Sequence, residues 1–122
     1  MASILIVDDE IEIRRMLRQM LEREGYTIYD AGDGEKAIQV YKNNDIDLVI
    51  TDIIMPVKEG IITIFELRNE YPDVKIIAIS GGSRVRPSTY LETAEAFGAI
   101  KTLVKPLDRK VLLKTIEEVL AE

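Results

Sequence analysis

The chain has 122 residues, 47% of them hydrophobic and 31% charged, which are the proportions of one globular domain with a core of its own and not of a disordered chain. Cysteine and histidine are both absent, which excludes disulfides, thiolate or imidazole metal sites and any Ser-His-Asp triad, leaving carboxylates, hydroxyls and lysines to carry chemistry. The net charge of −6 disfavours non-specific binding to nucleic acid or anionic membrane.

The first predicted element is the run Ile4-Leu5-Ile6-Val7, apolar at every position as in a parallel strand covered on both faces. It stops at Asp8-Asp9. Ile13, Met16, Leu17, Met20 and Leu21 then recur at helical spacing, with Arg14, Arg15, Arg18 and Glu22 between them, and Gly25 stands where a C-terminal cap is expected. A short strand over 26–30 leads to a helix over 34–43 with Ala37, Ile38 and Tyr41 as its stripe. Leu48-Val49-Ile50-Thr51 is a second buried-type strand, closing at Asp52, and a helix over 60–70 ends at Tyr71-Pro72-Asp73. A third buried strand over 74–79 runs to Ser80-Gly81-Gly82. A helix is expected over about 87–97 and a last strand over 99–104. Asp108 caps a final helix carrying Val111, Leu112, Ile116, Val119 and Leu120.

Five strand–helix units in strict alternation imply an α/β fold: a doubly wound, five-stranded parallel sheet with helices on both faces, flavodoxin-like, in strand order 2-1-3-4-5. Residues 1–122 read as a single domain. Met1-Ala2-Ser3 runs directly into an apolar strand, so neither a signal peptide nor a membrane span is expected, and the expected location is cytoplasmic.

The polar residues sit at strand ends. Asp8-Asp9 follow strand one, Asp52 strand three, Ser80 strand four, and Lys105-Pro106 strand five. In a doubly wound sheet these ends share one edge, where three carboxylates repel one another unless a cation joins them. Mg²⁺ suits such a set, since it binds one or two carboxylates together with water and phosphate oxygens. Carboxylates also act as nucleophiles toward phosphoryl groups, and Lys105 and Ser80 suit the remaining phosphoryl oxygens. Taken singly, each residue has an ordinary explanation. Asp9-x-x-Glu12 fits a loose capping box, Asp52 a strand-end turn, Ser80-Gly81-Gly82 a turn and Lys105 a solvated cation. Their coincidence at one edge favours a site.

The segments Ile4 to Glu10, Asp47 to Pro56 with Gly60, Ile76 to Gly81, and Gly98-Ala99 through Lys105-Pro106 resemble the receiver domains of bacterial two-component response regulators over nearly the whole chain. The resemblance implies that Asp52 is the phosphoacceptor. Asp9 is implied as the direct Mg²⁺ ligand, with Asp8 assisting through a water and the Ile54 backbone carbonyl completing the protein's share. It further implies that Ser80 moves toward the phosphoryl group, that Lys105 pairs with it, and that the Lys105-Pro106 bond is cis. The implied donor is a sensor histidine kinase or histidine phosphotransfer protein. The implied output, to a downstream protein or output domain, runs through the helix over 87–97, strand five and the final helix, with no direct nucleic-acid or membrane contact. On this reading the chain is no turnover enzyme: it only phosphorylates itself from a donor, with Mg²⁺, and slowly dephosphorylates.

Three positions depart from the family pattern. Thr102 replaces the usual aromatic three residues before the lysine, which questions the usual rotamer switch. Ile54 and Gly82 stand where relatives carry side chains that influence water attack. Ile54→Asn and Gly82→Glu variants are therefore expected to lose phosphate at rates different from the parent's. Among the alternatives, a haloacid-dehalogenase-type phosphatase would need an acid–base aspartate where Ile54 stands. A flavodoxin-like cofactor binder would need a neutral glycine-rich loop where Asp8-Asp9-Glu10 stands. A phosphorylation-independent pseudo-receiver, acting only as a docking module, is the remaining alternative.

Overall fold

The computed structural model describes residues 2–53, 60–80, 95 and 98–122. In chain order these form β1 (Ser3–Val7), α1 (Ile11–Arg23), β2 (Thr27–Ala31), α2 (Gly34–Asn43), β3 (Leu48–Asp52), α3 (Gly60–Glu70), β4 (Ile76–Ser80), β5 (Lys101–Val104) and α4 (Arg109–Ala121). The strands make one sheet in the order β2-β1-β3-β4-β5, parallel throughout, as the alternation implied. The helix expected over 87–97 falls almost entirely outside the described residues.

Successive strand residues point to opposite faces, and both faces are covered. Leu5, Val7, Val49, Ile76 and Ala78 pack with Ala37 of α2 and Ile64 and Leu67 of α3. Ile4, Ile6, Ile50, Ile77 and Ile79 pack with Leu17 and Leu21 of α1 and Leu112, Ile116 and Val119 of α4. This explains why β1, β3 and β4 read as unbroken apolar runs, whereas the edge strand β5 does not.

Local hydrogen bonding moves several element ends. The Tyr26 N–H donates to the Leu21 carbonyl, so it closes α1 and β2 begins one residue later than expected. Gly25, at φ 94°, makes the preceding turn in a conformation that suits glycine. The Val74 N–H donates to the Tyr71 carbonyl, keeping the start of the expected third buried strand in a turn. Two apolar residues also lie off the buried stripes: Met16 on α1 and Val111 on α4 are 45% and 50% exposed. The α4 stripe is Leu112, Thr115, Ile116 and Val119, with the Thr115 hydroxyl donating to the Val111 carbonyl. Asp108 caps α4 as expected, accepting from the N–H groups of Lys110 and Val111. The capping box at α1 is not formed, since Glu10 is the N-cap and makes no side-chain cap bond. Among the described residues no helix is long and apolar enough to cross a membrane.

Candidate functional site

The site is assembled by the register of the sheet. Val7 pairs with Thr51, so Asp8, the next residue after β1, lies beside Asp52 at the end of β3. The sheet hydrogen bonding continues past the strands: Asp8 N–H donates to the Ala31 carbonyl, and Lys105 N–H donates to the Ser80 carbonyl at 2.9 Å. That last bond delivers Lys105 beside Ser80. Asp8, Asp52 and Ser80 are all buried, at 3%, 6% and 1% exposure.

Lys105 spans the two carboxylates. Its Nζ donates to Asp8 Oδ2 at 3.0 Å and to Asp52 Oδ2 at 3.2 Å. Burial lowers the pKa of this ammonium, but the hydrogen bond to Asp8 and the charges of Asp52 and Asp8 outweigh it. The group is held above the usual lysine range. The Lys105-Pro106 peptide bond is cis, as the resemblance implied. Asp8 Oδ1 meanwhile accepts from the Glu10 N–H at 2.9 Å, which folds the loop after β1 over its own aspartate.

The donor set suits a hard cation. Carboxylate oxygens of Asp8, Asp9 and Glu10 lie within 4.8 Å of one another, Asp8 buried and the other two exposed. Every one is an oxygen donor, and Lys105 already shows that a positive charge can serve Asp8 and Asp52 together. Glu10 belongs to this acidic group by position, although the sequence reading gave it no role.

Asp8, Asp52, Ser80 and Lys105 are thus gathered at the carboxyl edge, with Asp9 at its exposed rim. Ile54 and Gly82, and with them two of the three departures from the family pattern, lie outside the described residues. Thr102, half-buried, pairs with Ala78 and so belongs to the face covered by α2 and α3. Sequence reasoning missed two supporting features. The Thr51 hydroxyl is fully buried and donates to the Asp52 carbonyl at 2.9 Å. Gly60 N–H donates to the Ile53 carbonyl at 2.7 Å, and a Cβ there would overlap the Asp52 carbonyl oxygen. The position of Gly60 eight residues after Asp52 was visible in the sequence, but this close approach was not.

The chain is similar to known proteins over nearly its whole length. A family model described as the response regulator receiver domain matches residues 4–117. The transcriptional regulatory protein CpxR of Escherichia coli (strain K12) is 35% identical over 120 residues, covering 98% of this chain and 50% of the regulator. The chain spans only 12% to 50% of the length of the curated relatives it matches. Among solved structures, the chemotaxis protein CheY4 of Vibrio cholerae is 33% identical with a TM-score of 0.88, covering 98% of each chain. The response regulator protein TrrA of Thermotoga maritima, solved in complex with Mg²⁺–BeF, is 34% identical with a TM-score of 0.84, covering 98% of this chain and 99% of its own.

Proposed function

The chain belongs to the response regulator receiver domain family, and from that premise we propose that residues 1–122 form one receiver domain that accepts a phosphoryl group on Asp52. The observation that carries the reading is a single lysine ammonium shared by two buried carboxylates from different strand ends, with the Ser80 hydroxyl at the end of the next strand. An oxygen of the Asp52 carboxylate attacks the phosphorus of a phosphohistidine. The new O–P bond forms as the P–N bond breaks, and the imidazole nitrogen leaves with the electron pair. A carboxylate of ordinary pKa is ionised at neutral pH, so the step calls for no histidine base, which agrees with the composition.

Asp8, Asp9 and Asp52, with the Ile54 carbonyl, are the groups that would hold Mg²⁺. When bound, the ion supplies neutralisation of phosphoryl oxygens. Lys105 exchanges its ion pair with Asp52 for one with the phosphoryl group, and the Ser80 hydroxyl donates to another oxygen. The added charge of about −1.5 to −2 biases the loops after β3 and β4. The signal arrives from a sensor histidine kinase or phosphotransfer protein. It leaves toward a partner or output domain through the face comprising residues 87–97, β5 and α4. The chemistry is self-phosphorylation and slow self-dephosphorylation, in the cytoplasm.

Incubation with acetyl phosphate and Mg²⁺ followed by intact-mass measurement tests this. The expected result is a gain of one phosphoryl mass, lost in Asp52→Asn and on adding a chelator. A parent protein that stays unmodified, or an Asp52→Asn variant labelled as well as the parent, refutes it and favours a docking module.

A further inference from the structure

Every polar backbone and side-chain atom of Asp8 has a partner, and one of those partners is Arg14 on α1. Arg14 Nη1 donates to the Asp8 backbone carbonyl at 2.7 Å. The other contacts of that carbonyl's residue are the Ala31 carbonyl, the Glu10 N–H and the Lys105 ammonium. Arg14 is itself held from the edge strand: its Nε lies 3.8 Å from Asp30 Oδ1, and Asp30 is fixed on its other oxygen by Arg18 at 3.0 Å. The guanidinium also passes close over Gly32, where an added Cβ would come within 3.2 Å of Arg14 Nη1. Three neighbours, from the loop after β1, from β2 and from the turn after β2, therefore define where this guanidinium sits.

We propose that Arg14 is the positioning residue of the acidic loop, fixing the Asp8 carbonyl so that Asp8 and Asp9 present their oxygens to the divalent cation they would share with Asp52. The physical reasons are two. Three carboxylates within 4.8 Å repel one another and drive the loop to open, and a cation bonded to that loop's own backbone opposes this. The planar guanidinium also serves two acceptors at once, the carbonyl and Asp30, which a lysine ammonium on a flexible stem does less well. This rests on the reading of the acidic edge as a cation site, although the loop-fixing role stands without it.

Arg14 lines an open polar cleft of about 430 Å³ together with Lys36, Gln39 and Asn43, so shortening it widens a solvent-filled space and leaves no sealed cavity in the core. Arg14→Gln is therefore expected to fold. Supporting outer partners of metal ligands typically matter by roughly 10–100-fold in metal affinity. Calorimetric Mg²⁺ titration should show Arg14→Gln weakened by at least about tenfold and Arg14→Lys lying between it and the parent. Arg15→Gln, which removes the same charge from an exposed neighbour, should stay at the parent's affinity. Metal-free hydrogen exchange gives the independent readout: the Glu10 amide, bonded to Asp8 Oδ1, should exchange severalfold faster in Arg14→Gln while the Leu5 amide in β1 is unchanged. Equal Mg²⁺ affinity in parent and Arg14→Gln, or equal loss in Arg15→Gln, overturns the proposal, as does an unchanged Glu10 exchange rate. A parent that binds no Mg²⁺ refutes the cation site, and the exchange result then decides the loop-fixing role by itself.

Discussion

At Asp8 and Asp52, two buried carboxylates face one ammonium, and the consequences of removing that ammonium follow from charge alone. Lys105→Met removes the ammonium from both carboxylates. The metal-free protein is expected to lose roughly 1–3 kcal/mol, below the range for a fully enclosed pair because the lysine keeps some contact with water. Mg²⁺ should restore more stability to this variant than to the parent, since the ion then meets no competing ammonium; urea unfolding at neutral pH with and without Mg²⁺ measures both effects. The pH dependence has a definite sign. The Lys105 pKa is raised in the folded state, so its contribution is complete below the ordinary lysine value, about 10.4, and is lost as pH climbs through the raised value. The stability gap between parent and Lys105→Met should therefore hold to about pH 10 and close only above it. A gap that closes in the neutral range contradicts this assignment. Asp8, Asp52, Ser80 and Lys105 were legible in the sequence because unusual polar residues ended apolar runs. Arg14 was not: its side chain reads as one more solvated position on an amphipathic helix, and its partner Asp30 is brought to it only by the pairing of β2 with β1.

Among the elements, α2 and α3 fall where the helical spacing and the Pro72 stop put them, over Gly34–Asn43 and Gly60–Glu70. Strand ends were less legible because competing backbone bonds decide them, as at Tyr26 and Val74. Apolar identity also overstated the helix stripes, since composition does not say which side of an amphipathic helix a borderline methionine or valine occupies. Met16→Lys and Val111→Lys are expected to stay within about 0.5 kcal/mol of the parent. Leu17→Ala and Ile116→Ala, at fully enclosed positions, should each cost roughly 2–5 kcal/mol in denaturant unfolding. Gly60 couples an element to the site. A methyl group at the start of α3 collides with the Asp52 carbonyl and comes within 2.7 Å of Ile53 Cα, and backbone cannot yield as a side-chain tip does. Gly60→Ala should therefore cost about 1–3 kcal/mol or more and also slow phosphorylation from acetyl phosphate. A stable Gly60→Ala protein labelled at the parent's rate would show that α3 does not set the position of β3's end.

For the whole molecule, the parallel sheet turns distant sequence segments into neighbours: residues 8, 52, 80 and 105 meet because four strands end on the same side. That convergence was readable in advance because parallel strands covered on both faces leave an unmistakable apolar run, and right-handed crossovers restrict how such runs can be ordered. What the alternation cannot supply is side-chain detail at the edge, above all the ammonium shared by Asp8 and Asp52. The most direct test asks whether one divalent ion is shared between strand ends. A titration of ¹⁵N-labelled protein with Mn²⁺ reads this through paramagnetic broadening of amide signals. At substoichiometric metal, the signals of Asp8, Asp9, Asp52 and Ile53 should broaden together and before all others. Broadening confined to the loop after β1, or spread over exposed acidic residues such as Glu117, Glu118 and Glu122, would contradict a cation site shared by β1 and β3.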